Sequence, residues 1–182
     1  MARRRQVVVI GVGRFGAAVA TTLYEAGHEV LALDVDARVI QEISGHVTHA
    51  VQVDATDPEA LQELGVQHFE VGIVGLSGDI ERSILITLLL KRLGVPWVIS
   101  KAQTALHGEI LERVGADRVV FPEREMGVRL AHSFAAPNVV DYMPVGPDYG
   151  ISKLEPPEHF LGKRVGDLDL RARYGLTLLL IE

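Results

Sequence analysis

Three glycines in the run QVVVIGVGRFGAAVA, Gly11, Gly13 and Gly16, stand at the spacing of a turn that carries a strand into a helix around a phosphate. In such a turn the first glycine permits the tight bend, the second lets backbone approach a pyrophosphate, and the third lets helix pack on strand. The helix that follows offers free N–H groups and the positive end of its dipole to the anion. Arg14 and Phe15 sit inside this turn, and Arg14 brings a permanent cation to the place where phosphate charge would gather. Asp34 ends the run EVLALD eighteen positions beyond Gly16, close to the spacing of a carboxylate that accepts hydrogen bonds from ribose hydroxyls, with Asp36 as a second candidate. An acid there disfavours a 2′-phosphate and so argues against NADP. The plainer alternative is that Asp34 caps the next helix.

Two further loops point the same way. VDATDPEAL brings Asp54, Ala55 and Thr56 to the region where a base would lie, although a turn role for Asp54 has equal weight. GLSGDIERS brings Ser77 and Gly78 to the edge where open α/β sheets bind ligands, or serves as an ordinary loop with Asp79 as a helix cap.

These residues need strands and helices to bring them together. Six short runs rich in β-branched residues, at 6–10, 29–33, 49–53, 70–76, 96–100 and 117–121, alternate with segments of helical periodicity. That grammar predicts repeated βα units in a doubly wound, Rossmann-like parallel sheet of about six strands. Helix punctuation agrees: Asp57 and Pro58 open one segment, and Gly27 and Gly94 close two others. Three prolines within 135–150 break the pattern, which places a nucleotide-binding domain at 1–135, a linker at 136–147 and the beginning of a small α+β lobe at 148–182. The last part reads as strand, turn, short helix and a closing strand in LTLLLIE, too short to close a core alone.

Composition narrows the function classes. The 182 residues are 48% hydrophobic but 5% aromatic, and the apolar content is mostly Val, Leu, Ile and Ala, which suits buried parallel strands. A net charge of −6 argues against general nucleic-acid binding despite the basic MARRRQ. There is no cysteine, hence no disulfide or Cys-zinc site. No apolar run reaches a membrane span and no signal-peptide core is visible, so a cytoplasmic protein without direct membrane insertion is expected. Hydride transfer would need a substrate pocket and an acid or base beside the cofactor. The seven histidines form no ligand cluster in sequence. The expectation is a sensor and not an enzyme.

The motifs IGVGRFG, LDVD, VDATD, KAQT and GADRVVFPEREMG together resemble the KTN (RCK, TrkA-N) regulatory subunits of bacterial potassium transporters, especially the Ktr type, over residues 6 to about 143. From about 144 the chain resembles the start of that family's TrkA-C lobe. The resemblance implies a homodimer that assembles into an octameric ring beneath a membrane-embedded potassium-translocating subunit, with ATP favouring the active state and ADP the inactive one. It places Gly11, Gly13 and Gly16 around the phosphates, Asp34 on the ribose, Arg14 on phosphate and Lys101 at the dimeric edge of the pocket. It also makes Glu123 a ligand for Mg2+ or another cation between subunits, with Glu125 a weaker candidate. The alternatives are an NAD/NADH-sensing relative of a Trk-type system or channel, and, from another class, a small NAD-dependent oxidoreductase. A redox-dependent transcription factor would need a DNA-binding element, and none is visible.

Overall fold

The computed structural model describes residues 3–135, 138–146 and 149–181. They form two compact units, Met1–Pro122 and Glu123–Glu182.

The first unit alternates strand and helix: β1 (Gln6–Ile10), α1 (Arg14–Glu25), β2 (Glu29–Asp34), α2 (Ala37–Ile43), β3 (His49–Gln52), α3 (Pro58–Glu63), β4 (Val71–Val74), α4 (Ile80–Arg92), β5 (Trp97–Lys101), α5 (Ala105–Arg113) and β6 (Arg118–Val120). The six strands are parallel, in the order β3-β2-β1-β4-β5-β6. This is the expected doubly wound sheet, and its order reverses between β1 and β4, where such folds bind ligands.

The strands read as continuous apolar runs because helices cover both sheet faces. Val8 and Ile10 of β1 pair in register with Leu31 and Leu33 of β2, and on that face they pack with Leu61 of α3 and with Ile86, Leu89 and Leu90 of α4. Val7 and Val9 pair with Val30 and Ala32 and face the other way, onto Ala17 and Ala20 of α1 and Ile43 of α2. Each large apolar side chain so buried contributes about 1.5–3 kcal/mol, so the site rests on a stiff support.

The second unit holds most of α6 (Pro122–Ala135), an antiparallel hairpin of β7 (Val139–Pro144) and β8 (Gly150–Leu154), and α7 (Leu170–Tyr174). Among its described residues none is buried. Three sequence expectations differ here. The compact unit ends at Pro122 instead of 135, because the side chains of α6 described from Glu123 onward are exposed or half-buried. The stretch taken as a linker contains β7, whose β-branched and aromatic residues find a partner in β8; positions 136, 137, 147 and 148 lie outside the described residues. Finally, the closing run at 176–181 forms no strand: β7 and β8 pair with each other, no third strand among the described residues of this unit offers it a ladder, and Leu179 and Leu180 stand 71% and 74% exposed.

Candidate functional site

The glycine turn sits at the carboxyl end of β1, and each glycine answers a different constraint. Gly11 has φ +83, and a Cβ there would come within 3.0 Å of Leu76. Its N–H donates to the Leu33 carbonyl at 2.9 Å, which ties the turn to β2. At Gly16 a Cβ would stand 2.0 Å from the Gly11 carbonyl oxygen, so α1 lies directly on the turn. At Gly13 a Cβ would meet nothing within 4 Å, and this is the open side of the turn.

Helix α1 starts differently from its neighbours. Asp36, Asp57, Asp79 and Thr104 cap α2, α3, α4 and α5 by accepting hydrogen bonds from first-turn N–H groups. At α1 the capping position is Gly13, with no side-chain acceptor, and the first turn carries no acid. Its N–H groups and positive dipole end therefore face the cleft without an internal anion. Arg14, the first residue of α1, is exposed, and its side chain makes no hydrogen bond or ion pair with any described residue.

Asp34 is held from two sides. One carboxylate oxygen accepts from Val12 N–H at 2.9 Å and the other from Asp36 N–H at 3.0 Å. Each oxygen keeps a further lone pair for a ligand hydroxyl. The helix cap is Asp36: its carboxylate takes Arg38 N–H at 2.9 Å and the Arg38 guanidinium at 2.9 Å. Its pKa lies below the ordinary value, chiefly through that guanidinium hydrogen bond.

A cleft of about 260 Å³ runs from the glycine turn across the carboxyl edge of the sheet, lined by Gly11, Gly13, Asp34, Ala55, Ser77 and Arg82 among others. Ile10, Val35, Val53, Leu76 and Ile86 supply apolar walls. Beyond β4, Gly75 donates to the Ile10 carbonyl at 2.8 Å, and a Cβ there would lie 2.9 Å from the Gly11 oxygen. Gly78 takes φ +92 and does not line the cleft. Ser77 does, and its hydroxyl accepts from Lys101 Nζ at 2.8 Å. Lys101, at the end of β5, is 3% exposed, with its ammonium 5.8 Å from the centre of the Phe15 ring.

Asp54 and Thr56 flank Ala55 after β3. Asp54 Oδ1 accepts from Thr56 N–H at 3.0 Å and Thr56 Oγ1 at 2.7 Å, and an Arg82 nitrogen reaches it at 2.5 Å. The Thr56 hydrogen bonds, joined by the charge of Arg82, hold the Asp54 carboxyl below the usual range. Glu123 and Glu125 occupy the first turn of α6, in the second unit. Among the described residues no group of three or more metal-ligating side chains comes together.

Sequence reasoning missed Gly75 and Arg82. A glycine just past a strand ending at the sheet's reversal was the available signal for Gly75. Arg82 gives no such signal, since its partner lies 28 positions earlier.

A family model, the TrkA-N domain, matches residues 7–122. The chain belongs to the TrkA-N family. Relatives agree over nearly the whole chain: Ktr system potassium uptake protein A of Bacillus subtilis (strain 168) is 40% identical over 99% of this chain and 81% of its own length. Protein C of the same system and strain is 38% identical over 98% and 81%. Among solved structures, the GsuK channel bound to NAD aligns with a TM-score of 0.70 at 20% identity, over 95% of this chain and 32% of that one. GsuK bound to ADP aligns at 0.57 and 20% identity, over 65% and 31%. At these identities the channel shows the shared fold. Among the described residues no helix is long and apolar enough to cross a membrane.

Proposed function

We propose that this chain is a nucleotide-sensing regulatory subunit that gates a membrane potassium transporter, with ATP and ADP favouring different conformations of a dimer-based ring. The observation that carries the reading is the start of α1: a glycine turn with an uncapped helix end, opening on a cleft that also contains Asp34, in a chain 40% identical to a Ktr potassium-uptake protein. The residues fit a nucleotide. Gly11, Gly13 and the first N–H groups of α1 would hold phosphates, Asp34 the ribose, and the Asp54–Thr56 loop would border the base. A bound nucleotide supplies charge that differs between ATP and ADP, and Arg14 is the residue positioned to respond to it. Facing outward from the first position of α1, it is available to a neighbouring copy, where a guanidinium gains more from a triphosphate than a diphosphate. Glu123 would complete a cation site with a second copy, since among the described residues one chain does not bring three ligands together.

In this reading the chain binds nucleotide without turning it over, and the polar side chains of the cleft lining, Asp34, Ser77, Asp79 and Arg82, each make at least one hydrogen bond to another protein group. A second reading, in which NAD or NADH is the ligand, draws on Asp34, which suits any ribose, and on the NAD-bound GsuK channel. Calorimetric titration with ATP, ADP, NAD and NADH, with and without magnesium and with oligomeric mass followed in parallel, tests both. Tight ATP and ADP binding with different assembly supports the first; preference for NADH with little response to ATP replaces it.

A further inference from the structure

Cleft geometry assigns Arg82 a part in nucleotide binding that neither its sequence context nor its helix suggests. The carboxyl ends of β1, β2 and β3 lie side by side, carrying the glycine turn, Asp34 and the Val53–Ala55 loop in that order. Two strand spacings separate the outer members, about 10 Å, which matches the distance from a nucleotide's phosphate to its base. Val35, just past β2, and Val53 and Ala55, just past β3, give that end of the cleft an apolar lining, a slot that a flat ring would fit. Arg82 comes from α4, on the other side of the sheet's reversal, and its guanidinium reaches Asp54 beyond β3 at 2.5 Å. The pair joins the two banks of the cleft at this slot.

Two details show that the pair does more than neutralise charge. Asp54 Oδ1 already holds two donors from Thr56, so Arg82 binds an acceptor that is otherwise satisfied. Arg82 Nε is buried and has no hydrogen-bond partner, a donor the protein itself leaves unmet. A buried N–H without an acceptor is costly, and a ribose oxygen or ring nitrogen in the slot would satisfy it. Arginine's planar guanidinium also packs on aromatic faces.

We propose that Arg82 is a latch over the base end of the cleft, fastened to Asp54, that holds the purine of an adenine nucleotide and sets how slowly it leaves. This rests on the nucleotide-sensing reading above. Because the latch grips the base and not the phosphates, it strengthens ATP, ADP and AMP by the same factor. The sensing of phosphate number is left to the glycine-turn end.

The test uses the full chain, wild type against Arg82→Ala and Arg82→Lys, with folding checked by thermal melting. Affinities for ATP, ADP, AMP and inorganic tripolyphosphate are measured by calorimetry, and dissociation rates with a fluorescent ATP analogue labelled on the ribose. Arg82→Ala is expected to weaken ATP, ADP and AMP alike, by about tenfold, the size of one desolvated cation–π or stacking contact. The loss should appear in the dissociation rate, tripolyphosphate should be unaffected, and Arg82→Lys, which keeps the charge without the planar fork, should recover only part. A loss that grows from AMP to ATP, or extends to tripolyphosphate, would show a phosphate contact and overturn the latch. Unchanged affinity in Arg82→Ala with a binding wild type would overturn it too, while leaving the nucleotide reading intact. A wild type that binds no adenine nucleotide would overturn both.

Discussion

Replacing Gly16 with alanine sets two rules of protein stability against each other. Gly16 lies within α1, and helix propensity alone says that alanine there should stabilise by about 1 kcal/mol. The structure says the reverse. The added Cβ would stand 2.0 Å from the Gly11 carbonyl oxygen, whereas carbon–oxygen contacts normally begin near about 3.3 Å. The turn would have to withdraw by more than about 1 Å, which puts the overpacking cost in the upper part of the usual range, about 2–3 kcal/mol. It has nowhere to go, because Gly11 is bonded to Leu33 on one side and abuts Leu76 on the other. Net destabilisation of about 1–2 kcal/mol is expected, a fall of about 2–8 °C in melting temperature for a chain of this size. Gly13→Ala is the paired control: its φ of −64 suits alanine and nothing crowds the new Cβ. Its stability should fall by less, about 0.5–1 kcal/mol for alanine's poorer fit at a helix N-cap, while ATP affinity drops because the methyl takes the side from which a phosphate approaches. Thermal melts of both variants with titration of ATP decide the matter. A Gly16→Ala protein that melts at or above wild type would refute the close-packed turn.

Three more outcomes follow from other parts of the molecule. Arg14→Ala should shrink the ratio of ATP to ADP affinity more than it weakens ADP binding; equal losses for both, measured by calorimetry, would sink the sensing role. Asp117 accepts from Lys91 at 2.8 Å and from Val98 N–H at 2.7 Å, and although burial pushes its pKa up, these donors outweigh it and lower the pKa from 3.8. Asp117→Asn should therefore cost about 1–2 kcal/mol at pH 7 in denaturant melts. Because the folded carboxyl holds its proton less tightly than the unfolded one, the gap from wild type should narrow only as pH falls below about 4. His107 is buried, with Nδ1 accepting from Gln103 N–H, and burial lowers its pKa from 6.5. The unfolded chain then binds the proton more readily, so stability should decline as pH drops below about 6.5, and His107→Gln should remove that part of the decline.

How much of this was legible in the sequence depended on how local each signal was. The strands of the first unit could be read because both faces of a parallel sheet are covered, which writes an unbroken apolar run such as VVVI. The glycine turn and Asp34 could be read because both belong to one strand–helix–strand unit. Asp34 still held a surprise, since it bonds Val12 N–H and leaves capping to Asp36. The α4 arginine was invisible for the opposite reason: its partner follows a different strand, and only the sheet order brings them together. In the second unit, pattern misled in both directions. VVDYM lies among prolines yet pairs as a strand, and LTLLLI has strand composition but no ladder to join. Strand propensity describes a surface that fits a sheet, and the sheet must be there to receive it.

The bare start of α1 has a bearing on what sequence change can do to this molecule. By the ordinary preferences of helix ends, a serine at 13 should be an improvement, since its hydroxyl could accept from the first-turn N–H groups that Gly13 leaves open. That hydroxyl would also be a competitor tethered to the site at an effective concentration no diffusing nucleotide could match. The local optimum of the chain and the demands of its ligand thus exclude one another at a single position.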